Sequence, residues 1–225
     1  MAIRFHLADH VHTDIIAHSV NGFPVRTPEE FLALLRAIHA SGPSQAGPTP
    51  IEVFLGTHPA ALAFVQAPKP VPASFLKESY FAPNAYRFVN AGGAGVYGRY
   101  RILPHGANEF LKESAVAGRA PDFLFDGLRE QLSRGTAKMT IAVQIADEGD
   151  IVNDATAHWP DSRRQMEVGA VELMNIVPDD EAQQRRIIFD PIPRIDGIEP
   201  SDDPLLEFRA AIYLASGRRR RKEVG

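Results

Sequence analysis

Hydrophobic residues recur along this 225-residue chain at two spacings, which predict strands in some segments and helices in others. Runs at 3–7 and 13–19 predict two short strands around a polar turn. Aromatic and β-branched runs at 85–89 and 96–103 flank a glycine-rich segment and predict a hairpin. Two further runs, at 138–145 and 166–177, are also typical of strands.

Apolar residues three and four positions apart predict the helices. The first begins after Thr27, which can cap the helix. Pro28 suits the first helical position, and Glu30 completes a capping box with Thr27. Prolines and glycines at 41–50 predict a loop. The other predicted helices are 51–65 with a break near 59, 121–132 followed by a glycine at 135, and a last helix from 203 to about 221.

The order of these elements predicts the fold class. Strands come as antiparallel neighbours and the helices are segregated between them, which is typical of an α+β fold. At this length, with 44% apolar and 23% charged residues, the chain can bury a core of its own. The length is compatible with one large domain or two small ones.

Charge and cysteine content exclude several function classes. The net charge of −4 gives no electrostatic reason to expect nucleic-acid binding. The chain has no cysteine, which excludes a disulfide framework, a thiolate nucleophile and a cysteine-held iron–sulfur cluster. No apolar run approaches the ~18 residues of a membrane span, so none is expected.

Two motifs look like functional sites but have a simpler interpretation. The glycines at 90–95 lie between two predicted strands, whereas a phosphate cradle needs a strand before it and a helix after it. His6, His10, His12 and His18 form a dense group near Asp14, but no third ligand at a fixed spacing completes a metal site. We interpret the first as a hairpin turn and the second as surface and turn histidines.

The last predicted helix carries a more informative pattern. Arg209, Tyr213 and Arg220 lie four and seven residues apart, which places them on one stripe of a helix face. An arginine one turn before a tyrosine can stabilise an anionic phenolate, which is a metal ligand, and the second arginine could hold an anionic group. From spacing alone, we favour a tyrosine packed on the core with two solvent arginines.

The motif at 209–213 resembles the haem-ligating helix of the haem catalases, whose signature is Arg-x-x-x-Tyr. Further segments are similar to that family and follow its order along nearly the whole chain. They are Tyr80-Phe81, Arg-Phe-Val-Asn-Ala at 87–91, Pro-Asp-Phe-Leu at 121–124, Trp159-Pro160, Phe-Asp-Pro at 189–191 and Gly-Ile-Glu-Pro-Ser at 197–201. The chain is most similar to the small catalase-related peroxidases.

The resemblance implies a single haem-binding domain over residues 1–225, built as a catalase-type antiparallel β-barrel with surrounding helices and a bound haem b. Tyr213 would be the axial iron ligand, Arg209 its hydrogen-bond donor, Arg220 a haem-propionate anchor and Phe23 an aromatic residue near the haem. The implied partners are a peroxide and a small organic electron donor, and a homo-oligomer is left open. Family members carry a distal asparagine close to the position of Phe23. The candidates for it in this sequence are Ser19 and Asn21, and His18 lies next to them.

The sequence departs from the family at its start. The family's distal histidine lies near a His-Ala-Lys-Gly motif upstream of the first residue here, so no catalytic residue is assigned and the leading barrel strands are expected to be missing. The expected function is a catalase-related haem peroxidase acting on hydrogen peroxide or organic peroxides. Two alternatives remain: a haem-binding remnant without peroxidatic activity, and a relative that rearranges lipid hydroperoxides, as allene oxide synthases do.

Overall fold

The computed structural model describes residues 1–42 and 47–222. It has eight strands within those ranges: β1 Ala2–Ala8, β2 Val11–Ile16, β3 Tyr80–Phe81, β4 Tyr86–Val89, β5 Gly95–Pro104, β6 Ala137–Ile145, β7 Gln165–Leu173 and β8 Ile198–Pro200. The same ranges hold seven α-helices: α1 Pro28–Ala40, α2 Pro50–Thr57, α3 Pro59–Gln66, α4 Glu113–Val116, α5 Phe123–Arg134, α6 Asp180–Arg186 and α7 Pro204–Lys222. The predicted loop at 41–50 falls partly outside the described residues.

The strands form two antiparallel sheets. β1 and β2 pair as a separate hairpin, and the other six strands form a sheet in the order β7-β6-β5-β4-β8, with β3 also paired to β5. The α+β class and the antiparallel sheet are therefore confirmed. Among the described strands the large sheet ends at β7 on one side and at β8 on the other, so they do not close into a barrel.

Local sequence signals account for several elements. The Thr27 hydroxyl oxygen accepts the backbone N–H of Glu30, and the Glu30 carboxylate accepts the backbone N–H of Thr27. These two bonds complete the predicted capping box of α1. The glycine-rich segment is the turn between β4 and β5, where the Asn90 side chain accepts hydrogen bonds from Gly92 and Ala94. The hairpin interpretation of that segment is confirmed.

The main core lies between the large sheet, the β1–β2 hairpin and α7. Its most buried side chains include Ile102 on β5, Met139 on β6 and Leu206 on α7. A smaller cluster around Leu34 and Phe54 joins α1 to α2. Burial of these side chains holds α7 against the sheet, and this fixes the position of the residues that α7 carries.

A buried ion pair attaches the β1–β2 hairpin to the chain that leads towards α7. The Asp14 carboxylate is fully buried and accepts hydrogen bonds from Arg4 Nε at 2.8 Å and Nη2 at 2.7 Å. It also accepts the backbone N–H of Asp190 at 2.7 Å, while Arg4 donates to the carbonyl of Ile188. All of these groups are paired, as buried charges require.

Helix α7 approaches the same segment closely at Gly217. A Cβ atom on this buried residue would lie 2.4 Å from Cγ1 and 2.7 Å from Cδ1 of Ile188, well inside van der Waals contact. The missing side chain therefore sets how near the helix can lie to residues 187–189.

Candidate functional site

The predicted arginine–tyrosine pair forms on the cavity-facing side of α7. Arg209 and Tyr213 are one turn apart, which brings side chains at i and i+4 together. The Tyr213 hydroxyl oxygen accepts hydrogen bonds from Arg209 Nη2 at 3.0 Å and Nε at 3.2 Å. An oxygen that accepts two N–H groups of a permanent cation is well suited to carry negative charge.

Two buried side chains fix the guanidinium of Arg209. Its Nη1 donates to Oδ1 of Asn84, which lies in the loop between β3 and β4. Nδ2 of Asn84 donates to Oδ2 of Asp203 at 2.8 Å, and Asp203 Oδ1 accepts the backbone N–H of Leu205 as α7 begins. This is the one amide orientation that satisfies both neighbours, so a continuous chain runs from Asp203 through Asn84 and Arg209 to Tyr213.

A cavity of about 260 Å³ opens beside this pair. Tyr213, Arg209 and Ile212 line it from α7, and His18 and Phe23 are among the residues that line it from the other side. Ile212 remains 47% exposed, so the apolar surface continues out of the cavity along the helix. The lining is mainly apolar and aromatic, and its polar side chains are those of His18, Arg209 and Tyr213.

The environment of His18 keeps its imidazole neutral. Burial lowers the pKa of His18 to about 4, and the positive charges of Arg209 and of the Met1 ammonium act in the same direction. Its Nδ1 accepts the backbone N–H of Val20 at 3.3 Å. The ring also meets Phe23 edge-on, with 6.4 Å between the ring centroids.

The structure brings together three of the four residues that the sequence singled out. Tyr213, Arg209 and Phe23 line the same cavity. Arg220 lines a different cavity, of about 590 Å³, and donates to the Ile187 carbonyl and the Ser216 hydroxyl. Of the three polar candidates near the end of β2, His18 lines the Tyr213 cavity. Ser19 and Asn21 line a different one, of about 630 Å³.

Sequence reasoning missed Asn84 and treated Asp203 only as the start of a helix. Both are nearly inaccessible to solvent, and their side chains meet across 119 positions of sequence. A polar pair at Asn84 and Asp203 has no local signature in the sequence. The one available signal was a capping aspartate directly before Pro204, which marks the N-terminus of α7 but not the partner of Asp203.

The histidines of the β1–β2 hairpin do not line a common cavity as the residues around Tyr213 do. His6 and His12 are directly opposite each other on β1 and β2, and His10 lies in the turn with φ of 62°. Over residues 1–42 and 47–222, no three His, Asp or Glu side chains are grouped so that they could hold a metal ion.

The described helices also include none that is both long and apolar enough to cross a membrane.

The residues around the cavity fit a ferric haem. A phenolate is one of the axial ligands that proteins use for haem iron, and the Tyr213 oxygen accepts two N–H groups of Arg209 at the edge of the cavity. The apolar and aromatic lining suits a flat macrocycle, and the exposed Ile212 extends that surface beyond the cavity.

Comparisons with known proteins bear on the family of this chain. The catalase family model matches residues 1–223. A catalase-related peroxidase of Mycolicibacterium paratuberculosis is 36% identical over 221 residues, covering 96% of this chain and 69% of the relative. A catalase-related peroxidase of Synechococcus elongatus is 28% identical over 221 residues, covering 96% of this chain and 65% of the relative.

The fold of the chain is similar to that of a solved structure. Catalase A from Saccharomyces cerevisiae superposes with a TM-score of 0.82 at 22% identity, covering 97% of this chain and 48% of that one. The chain thus spans about two thirds of the length of the two catalase-related peroxidases and about half of the yeast catalase. From the family match over nearly its whole length, we conclude that this chain belongs to the catalase family.

Proposed function

We propose that this chain is a catalase-related haem peroxidase, with one haem-binding domain over residues 1–225 and haem b held by Tyr213. When bound, the haem supplies the redox chemistry that reduces hydrogen peroxide or an organic peroxide, with a small organic molecule as electron donor. The observation that carries the proposal is the Tyr213 hydroxyl, which accepts two hydrogen bonds from Arg209 beside an apolar cavity.

The residues of the chain would divide the work of holding the cofactor. Tyr213 supplies the anionic oxygen ligand, and Arg209 stabilises its charge with two N–H groups on the same atom. Asn84 and Asp203 are positioning residues, because they hold the guanidinium and do not reach the cavity themselves. Phe23 packs its ring into the wall opposite α7.

Arg220 is the proposed anchor for a haem propionate. It lies two turns after Tyr213 on the same helix, where the Ser216 hydroxyl and the Ile187 carbonyl fix its guanidinium. An arginine held in this way keeps a permanent positive charge and donors in a fork that matches a carboxylate.

Haem reconstitution of the full chain tests the axial ligand. Wild-type protein should give a high-spin ferric spectrum with one haem bound, and Tyr213→Phe should change that spectrum and weaken haem retention because the oxygen ligand is lost. Tyr97→Phe, on β5 and away from the cavity lining, is the matched control and should leave the spectrum unchanged. An unaltered Soret band in Tyr213→Phe would refute the ligand assignment.

Turnover assays on the reconstituted protein test the reaction. Consumption of hydrogen peroxide coupled to oxidation of a small phenolic donor would support a peroxidase. Haem binding without turnover of any peroxide would instead favour a haem-binding remnant. Conversion of a fatty-acid hydroperoxide without consumption of the donor would favour a rearranging enzyme.

A further inference from the structure

Another cavity, of about 460 Å³, is lined in part by β3 and shares no lining residue with the Tyr213 cavity. Two of its walls are held together by backbone pairing. Residues 71–73 run antiparallel to residues 109–111, and two N–H groups donate across this pair to carbonyls at 2.8 Å. The fold therefore shapes the cavity without help from a ligand.

Four aromatic side chains line this cavity, those of Phe75, Tyr80, Phe81 and Phe110. The Tyr80 ring is held in place because its hydroxyl donates to the Phe75 carbonyl at 2.8 Å. The guanidinium of Arg101 already lies over the Phe81 ring, 5.2 Å from its centroid. The face of an aromatic ring is negative and attracts cations, and several rings around one ligand are used to recognise methylated ammonium groups. The rings therefore offer a surface that suits a cation with apolar substituents.

Glu78 lines the same cavity and has no cationic partner. The residue is only 7% exposed, and its Oε1 accepts the backbone N–H of Ser79 at 2.9 Å. In the part of the chain that the structure describes, Glu78 takes part in no ion pair. Burial raises the pKa of Glu78, and the Ser79 N–H is the one group that acts in the opposite direction. A carboxylate this buried is almost always paired, so the site favours a positively charged ligand.

The lysine that lines the cavity does not neutralise Glu78. Nζ of Lys69 donates to three backbone carbonyls of residues 64–67 at the end of α3, at 2.7–3.1 Å. These bonds use all three N–H groups of the ammonium and hold it at the negative end of the helix. The neighbouring Lys77 is paired with Glu109 instead. A ligand can therefore supply the positive charge that Glu78 lacks.

We propose that the cavity formed by Glu78 and the four aromatic rings binds a small organic ammonium ion that carries methyl groups. Glu78 supplies the counter-charge, and the rings contact the methyl groups by cation–π attraction. The volume of about 460 Å³ lies within the range of roughly 300–1,000 Å³ that is usual for small-molecule sites. The site is independent of the proposed function, because no residue of the Tyr213 cavity takes part in it.

Calorimetric titration of the full chain with choline tests the site. The neutral isostere 3,3-dimethylbutan-1-ol fills the same space without a charge, so it should bind about tenfold more weakly than choline. Glu78→Gln keeps the shape of the side chain and removes the counter-charge, and should also weaken choline binding about tenfold. Glu113→Gln, at an exposed position on α4 outside the cavity lining, is the matched control and should leave the affinity unchanged.

A second variant and a second ligand keep the outcome decisive. Phe110→Leu removes one ring and should weaken choline binding about threefold, with the affinity for the neutral isostere unchanged. Thermal melts show whether each variant is folded, and Glu78→Gln should be at least as stable as wild type because it removes an unpaired buried charge. Equal affinity for choline and its isostere, unchanged choline affinity in Glu78→Gln, tighter binding of acetate than of choline, or no choline binding at about 10 mM would each overturn the proposal.

Discussion

Removing the Asp14 carboxylate should destabilise the domain far more than removing a surface carboxylate. In Asp14→Ala, the Arg4 guanidinium loses both of its side-chain bonds while it is only 16% exposed, and the Asp190 N–H loses its acceptor. Breaking a buried pair from one side costs about 3–5 kcal/mol, because the other charge stays buried without its partner. We expect a loss of about 3 kcal/mol, a large part of the ~5–15 kcal/mol that stabilises a typical domain.

Urea unfolding at pH 7, followed by the fluorescence of Trp159, measures this loss. Glu130→Ala is the matched control, since Glu130 pairs with Arg134 on the exposed face of α5 and such pairs contribute about 0–1 kcal/mol. The double replacement Arg4→Met with Asp14→Leu removes both charges and should recover most of the loss. If Asp14→Ala costs no more than Glu130→Ala, or if the double variant is the least stable, the reasoning is wrong.

Two further predictions concern α7 and the cavity. Gly217→Ala should lower the free energy of unfolding by about 1–2 kcal/mol because its Cβ overlaps Ile188. Gly127→Ala on α5 has open space around it and should raise the free energy of unfolding by up to about 1 kcal/mol. Thermal melts of both variants check this. Because the pKa of His18 is lower in the folded chain, the unfolded chain binds a proton at this residue between pH 6.5 and 4 and the folded chain does not. The free energy of unfolding should therefore fall by about 3 kcal/mol over this pH range. His18→Asn should flatten that dependence in urea titrations, and parallel curves for the two proteins would contradict it.

Most elements could be predicted because their signals are local. The capping box at Thr27, the break at Pro59 between α2 and α3, and the turn after Asn90 are each set by a few neighbouring residues. Helix α6 had no such signal, since Asp180–Arg186 has no apolar stripe. Strand β8 was missed because its three residues are ordered by pairing with β4, more than 100 positions earlier.

The same distinction divides the candidate site. Arg209 and Tyr213 share one helix, so a spacing rule could place them together. Asn84 could not be found, because its role comes from a partner 119 residues away. The sequence could not show which of His18, Ser19 and Asn21 faces Tyr213, because the path of the chain after β2 determines which cavity each side chain lines.

The long separation between Asn84 and Asp203 also bears on how the protein is made. At a synthesis rate of roughly 5–20 residues per second, about 6–24 seconds pass between the emergence of the first and of the second, given their 119-residue separation. Throughout that interval the Asn84 amide has no native partner and Arg209 does not yet exist. The proposed haem pocket is therefore assembled only after Tyr213 has been synthesised, and a nascent chain cannot use haem capture to guide the folding of the residues made before it.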